Sequence, residues 1–192
     1  MRNFFHKTFR RISVVMTLTA VLVLFSCDAE NTYTNHRCYF IFNTTYHQSP
    51  ILMASVTGDD GFCLVYKGVH QEVEKVFVEK YGSSDPYSPY AYTTSVEPKV
   101  SELVIGWDNG LLIGYSESEK NIGNNPVIAY DRHCPKCEDN AKGLLQWNGS
   151  SRSVKCPVCK TEYNLTFTGN GLTRYPAAYL ESGYGTIVRV VN

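Results

Sequence analysis

The 192-residue chain has no excess of either charge, because 18 Lys and Arg side chains balance 18 Asp and Glu side chains. Without a charge excess, nothing steers the chain toward nucleic acid, and no nucleic-acid partner is expected. It also lacks a recognisable nucleophile motif, and the histidines outside the cysteine-rich region are scattered: His6, His36, His47 and His70. We therefore do not expect an enzyme.

The first 26 residues have the features of an export signal. A short basic segment, MRNFFHKTFRR, precedes the apolar run ISVVMTLTAVLVLF, which is too short to span a bilayer comfortably. The sequence then reads LFSC, which resembles the lipobox of bacterial lipoproteins and implies that Cys27 becomes a lipidated N-terminus. An ordinary signal peptide and a single-pass anchor are the alternatives, and Arg10-Arg11 partly matches a twin-arginine signal.

That resemblance implies a domain organisation and a location. Residues 1–26 are the signal peptide, 27–37 a polar tether and 38–192 the folded domain. The lipid would hold the domain on a membrane of the bacterial cell envelope, at its periplasmic or cell-surface face. An exported chain meets an oxidising compartment, so Cys38 and Cys63 are expected to form a disulfide. The alternative is that both are buried free thiols.

Short β-prone runs separated by turns predict an all-β domain. Strands are predicted in CYFIFNTTY, SPILMASV, DDGFCLVYKG, HQEVEKVFVEKYG, NPVIAYD and GTIVRVV, and hairpins in LVIGWDNGLLIGY and around NGSSR. Residues 82–99 are predicted to form a long surface loop. Its tyrosines, Tyr87, Tyr90 and Tyr92, either pack the loop onto the domain or form an exposed patch.

Two copies of a Cys-Pro-X-Cys motif predict a metal site. Cys134 and Cys137 are followed, after eighteen residues, by Cys156 and Cys159, a spacing typical of four-cysteine sites. Two residues between cysteines form a tight turn that directs both sulfurs to one point, and the prolines favour that turn. A disulfide within each motif and a redox-active Cys-X-X-Cys are the alternatives.

The sequence around these motifs resembles the cluster-binding region of Rieske-type ferredoxin domains over about Leu103–Asn192. The segments that carry the resemblance are PVIAYDRHCPKCEDN and VKCPVCKTEYNLTFTGNGLTRYPAAYLESGYGTIVRV. The matching positions are Ala129-Tyr130-Asp131, Cys134-Pro135, Cys156-Pro157, Tyr163, Thr168-Gly169 and Tyr175-Pro176. The resemblance implies a Rieske-like antiparallel β-sandwich or barrel. Residues of about 130–177 would form a small rubredoxin-like or zinc-ribbon-like lobe of two knuckles, which are the Cys-Pro-X-Cys turns at residues 134–137 and 156–159.

The ligand set departs from the Rieske pattern. Lys136 stands where the first histidine ligand belongs, Cys159 replaces the second, and Lys160 replaces the following glycine. Cys137 supplies the missing ligand one residue further on. His133 is not expected to be a ligand, because its side chain should point away from a site that Cys134 faces.

Two imidazoles give a Rieske cluster its raised potential, so that chemistry is not encoded here. Four thiolates bind zinc, a [2Fe–2S] cluster or a single iron, and we rank them in that order. Zinc predicts a lipid-anchored protein whose metal is structural. Either form of iron predicts an electron-transfer protein. The protein or redox partner is not identified by the sequence.

Overall fold

β-Strands dominate the part of the chain that the computed structural model describes, namely residues 33–44, 46–83, 99–108, 110–117, 119, 125–182 and 185–192. The strands are β1 (Tyr39–Asn43), β2 (Cys63–His70), β3 (Val73–Lys80), β4 (Leu111–Tyr115), β5 (Val127–Asp131), β6 (Gln146–Trp147), β7 (Ser153–Lys155), β8 (Glu162–Asn164), β9 (Arg174–Tyr175), β10 (Ala177–Ser182) and β11 (Gly185–Val191). They form antiparallel sheets with the orders β1-β11-β10, β3-β2-β4-β5-β9 and β6-β7-β8. The predicted all-β class is confirmed.

The prediction of a strand in SPILMASV is wrong, because Pro50–Thr57 forms an α-helix, α1. Ser49 caps its first turn by accepting a hydrogen bond from the backbone N–H of Leu52, and Pro50 is preorganised for the first helical position. Gly58 ends the helix in the left-handed conformation, with φ of 95°. These capping residues outweigh the β-prone composition of the run.

The prediction of a hairpin in LVIGWDNGLLIGY is also wrong. Val104 makes only an isolated bridge to Tyr39, and the chain turns from Gly106 onward. The second half of the run does form β4, but it pairs with β2 and β5. The backbone N–H of Trp107 donates to the Asp131 carboxylate at 2.6 Å, and this contact holds the first half of the run in a turn.

The first half of β2, β4 and β5 are buried on both faces of the five-stranded sheet, which explains the continuous apolar runs in these strands. One face packs against the three-stranded sheet β1-β11-β10 and α1, through Cys63, Val65, Leu111, Ile113 and Ala129. The opposite face packs against the small sheet β6-β7-β8, through Leu64, Leu112, Ile128 and Tyr130. The central sheet therefore shares its two faces between two hydrophobic cores.

The small sheet is an insertion between β5 and β9, and it corresponds to the predicted metal-binding lobe. The predicted hairpin around NGSSR is confirmed as β6 and β7, with Trp147 opposite Val154. Val154 lies opposite Tyr163 on β8, and both side chains are buried. The lobe thus packs its apolar side chains onto the central sheet.

Residues Tyr33–Asn192 form one compact unit. The described end of the predicted tether is attached to it, since the backbone N–H of Thr34 donates to the carbonyl of Arg174 and the His36 ring contacts the Trp107 ring at a centroid distance of 3.8 Å. The predicted signal peptide, Cys27 and the tyrosines of the predicted loop lie outside the described residues. Among the residues described, no helix has the length and apolar character needed to cross a bilayer.

Cys38 and Cys63 are buried free thiols in the structure rather than the expected disulfide. Cys38 precedes β1 and its Sγ lies 3.7 Å from the carbonyl oxygen of Val190, whereas Cys63 begins β2 in the other sheet. Burial raises the pKa of each thiol to about 12, so both stay protonated at neutral pH. They behave as small apolar side chains of the core.

Asp131 connects the central sheet to the loops around it. Its buried carboxylate accepts hydrogen bonds, each 2.6 Å long, from the backbone N–H of Trp107, the backbone N–H of His133 and the hydroxyl of Tyr175. Three donors on one carboxylate fix the turn before β4, the entry to the first knuckle and β9 relative to one another.

Replacing Asp131 with Ala should lower the free energy of unfolding by about 3 kcal/mol, because three buried donors lose a charged acceptor. Urea titration followed by circular dichroism measures the change. Asp139→Ala is the matched control, since Asp139 is exposed, and it should leave the midpoint nearly unchanged. Equal midpoints for the two variants would show that Asp131 does not hold these loops.

Candidate metal centre

The four cysteines of the two knuckles lie together. All of their Sγ atoms are within 4.8 Å of one another. Cys134 Sγ is 3.7 Å from Cys159 Sγ, and Cys137 Sγ is 3.8 Å from Cys156 Sγ. A tetrahedral site with bonds of about 2.3 Å to each sulfur has edges of about 3.8 Å. The arrangement therefore fits one metal ion, which Cys134, Cys137, Cys156 and Cys159 would hold.

The first knuckle follows β5. The Cys134 backbone N–H donates to the carbonyl of Gly143 at 3.0 Å, which fixes the start of the turn. Pro135–Cys137 then forms a single 3₁₀ turn, closed by a 2.9 Å hydrogen bond from the Cys137 N–H to the Cys134 carbonyl. The backbone N–H of Lys136 also donates to the Cys134 sulfur. The turn thus supplies both a shape and a hydrogen-bond donor for the thiolate.

The second knuckle follows β7 and is closed by Lys160. The Lys160 N–H donates to the carbonyl of Cys156 at 3.1 Å, and its φ of 63° is in the left-handed region. The next residue, Thr161, places its hydroxyl 3.3 Å from Cys159 Sγ. Sequence reasoning missed Thr161, because a single Thr after a Cys-X-X-Cys has no distinctive pattern.

Cys134 and Cys156 are the first cysteines of their knuckles. Both are buried in the core that the lobe shares with the central sheet. The Tyr163 hydroxyl lies 3.2 Å from Cys134 Sγ and adds a second polar contact to that sulfur. Cys137 is partly buried and Cys159 is exposed. One edge of the site therefore reaches the protein surface, and the rest is enclosed.

The environment shifts the pKa values of the thiols in opposite directions. Hydrogen bonds from the hydroxyl and backbone N–H of Thr161 lower the pKa of Cys159 to about 6. Desolvation and the neighbouring sulfurs raise the pKa of Cys137 to about 12. Four thiolates this close together repel one another, so some of the thiols stay protonated until a cation binds. Metal binding must therefore release protons.

His133 is not part of the sulfur cluster, as its position predicted. Its Nδ1 lies 3.1 Å from an Asp108 carboxylate oxygen, and its Nε2 lies 2.9 Å from the carbonyl oxygen of Cys137. The ring is buried and faces the indole of Trp107 at a centroid distance of 6.2 Å. His133 therefore supports the backbone of a ligand-bearing turn. Asp108 could not be linked to it from sequence, because 25 residues separate them.

Replacing Cys134 or Cys159 with Ser should abolish metal retention and destabilise the C-terminal half, because three thiolates no longer close the site. Metal per chain after dialysis against a chelator measures the loss. His133→Ala is the control. It should retain about one metal per chain, although loss of an outer contact weakens affinity by roughly 10- to 100-fold. Stoichiometric metal in either cysteine variant would contradict a shared four-sulfur site.

No family model matches the chain, and neither the curated proteins nor the solved structures give a significant match.

Proposed function

We propose that the protein is a lipid-anchored envelope protein whose β domain binds one structural zinc ion through Cys134, Cys137, Cys156 and Cys159. The observation that carries the proposal is the mutual closeness of the four sulfurs, all within 4.8 Å. Four thiolates complete the tetrahedral coordination of zinc and leave no open position for a substrate. Such a site stabilises a fold and does not turn over a substrate.

The sulfur geometry favours a single ion over a [2Fe–2S] cluster. A cluster binds its four thiolates in two pairs, each on a different iron, so the pairs are held apart by the bridging core. Here the sulfurs of the two close pairs, Cys134 with Cys159 and Cys137 with Cys156, are not held apart, because all four lie within 4.8 Å of one another. This spacing supports a mononuclear site.

Zinc at this position would stabilise a small lobe whose strands are short. The strands of the lobe are two or three residues long. Sheets this short rarely persist without packing or a cross-link. When bound, the ion cross-links the two knuckles and contributes its binding free energy to folding.

We also propose that the scaffold is Rieske-like and has lost its histidine ligands. Two features of the structure support this proposal. β5 ends in Ala129-Tyr130-Asp131 and leads into the first knuckle, and the Tyr163 hydroxyl contacts the first ligand. Lys160 adopts the left-handed backbone that a glycine adopts without strain, and glycine stands at this place in the Rieske pattern.

Protein purified without added metal should contain about one zinc per chain and show no visible absorption bands, because zinc has a filled d shell. Elemental analysis with an absorption spectrum tests this. Cys134→Ser is the matched control and should lack the metal. Iron with visible bands that bleach on adding dithionite would contradict a structural zinc site and indicate an electron-transfer protein.

Membrane attachment through Cys27 has its own test. Cys27→Ala in the full chain should abolish incorporation of a labelled fatty acid and move the protein from the membrane fraction to the soluble fraction. Asn35→Ala, at an exposed position outside the LFSC motif, should leave both unchanged. Continued membrane association of Cys27→Ala would instead indicate that the apolar run of the first 26 residues is an anchor.

A further inference from the structure

The four sulfurs of the candidate metal centre differ in how easily a solute can reach them. Cys134 and Cys156 are 0% exposed, Cys137 is partly buried and Cys159 is exposed. A peroxide that diffuses in from solvent therefore meets Cys159 first. Peroxides oxidise thiolates, and a bound metal holds its cysteine ligands in that form. Cys159 thus combines thiolate character with exposure, the two properties that make a cysteine susceptible to oxidation.

A second cysteine is in place to react with an oxidised Cys159. Cys134 Sγ lies 3.7 Å from Cys159 Sγ and toward the interior, since Cys134 is fully buried. Displacement at sulfur requires the attacking atom and the leaving atom to lie on opposite sides. An oxygen that is added to Cys159 from solvent can therefore leave toward solvent, while the Cys134 sulfur attacks from the buried side.

The other two sulfurs have a close contact of their own. Cys137 Sγ lies 3.8 Å from Cys156 Sγ. Each of these close contacts joins one knuckle to the other, because Cys134 and Cys137 belong to the first and Cys156 and Cys159 to the second. The arrangement therefore favours a disulfide across the knuckles over a disulfide inside either Cys-X-X-Cys turn.

We propose that Cys159 is a modification site for hydroperoxides and that Cys134 resolves it, so that a disulfide across the knuckles replaces the zinc. This rests on the proposed zinc site. The Cys159 thiolate gives an electron pair to one peroxide oxygen, the O–O bond breaks, and a sulfenic acid forms as hydroxide or alkoxide leaves. The Cys134 thiolate then attacks Cys159, the S–O bond breaks, and hydroxide leaves. The two sulfurs together lose two electrons, which reduce the peroxide.

Formation of this disulfide removes two of the four ligands. Two thiolates do not complete the coordination of zinc, so Cys137 and Cys156 release the ion and take up one proton each. With hydrogen peroxide, the two hydroxides take up two further protons and become water. One hydrogen peroxide therefore yields one disulfide, two thiols and one free zinc ion.

A disulfide across the knuckles keeps the lobe cross-linked after the metal leaves. Cys134 and Cys159 are 25 positions apart, and β6 and β7 lie in the loop between them. A disulfide inside one knuckle would close a loop of only a few residues and would not connect the two turns. Because the restriction of the unfolded chain grows with loop length, the longer loop stabilises the lobe more. The lobe is therefore cross-linked in its zinc form and in its disulfide form.

Oxidation of the full chain purified with its zinc tests this. One equivalent of hydrogen peroxide is added, and released zinc is measured with a chromogenic chelator. The remaining thiols are then blocked under denaturing conditions, and the chain is digested with trypsin without reduction. Trypsin cleaves after Lys136 and so separates Cys134 from Cys137, whereas Cys156 and Cys159 stay together in the peptide CPVCK.

The expected product is the peptide HCPK linked to CPVCK, with about one zinc released per disulfide. Fragmentation should locate the link at Cys159. Cys38 and Cys63 are internal controls, because both are 0% exposed, and both should carry the blocking group. Dithiothreitol should reverse the disulfide and allow zinc to bind again. The disulfide form should also unfold at a higher urea concentration than the reduced, metal-free chain.

Any other first link, such as HCPK with CEDNAK or a link inside CPVCK, would overturn the assignment of Cys159 and Cys134. So would zinc that stays bound after excess peroxide, or a Cys159 sulfinic acid without a disulfide. A chain that holds no zinc as purified would contradict the proposed function instead. The peptide map of that chain after oxidation would then still decide which sulfurs pair.

Discussion

The buried carboxylate of Asp131 is the contact on which the arrangement around the metal centre depends. It receives three short hydrogen bonds from groups far apart in the sequence, on Trp107, His133 and Tyr175. These groups lie before β4, at the start of the first knuckle and in β9. A charged acceptor with three donors is strongly directional, so the loop that carries the first two ligands is anchored to the sheet before any metal binds.

Each face of the central sheet contributes to a different hydrophobic core. One face forms the main core with β1, β10, β11 and α1, and the other is covered by the knuckle lobe. Cys134 and Cys156 belong to the second core through their burial and to the candidate metal centre through their sulfurs. Packing of the lobe and coordination of a metal therefore reinforce one another, because the same side chains take part in both.

Sequence reasoning predicted the all-β class, the grouping of the four cysteines and most strands, since short-range periodicity and cysteine spacing are local signals. It missed α1, where the capping residues Ser49 and Gly58 decide the structure against the composition. It also mistook the segment before β4 for a hairpin strand. That segment is held by Asp131, more than twenty residues further along the chain. Contacts of this kind leave no pattern in a single sequence.

The pairing of β1 with β11 has a consequence for how the chain reaches this fold. Tyr39 lies opposite Val191, so the first and last described strands are neighbours in one sheet. Closing that sheet brings together segments separated by nearly the whole domain, which gives a high contact order and slow folding. The sheet cannot form until the final residues have left the ribosome. Closure of this sheet is therefore a late step in the folding of the chain.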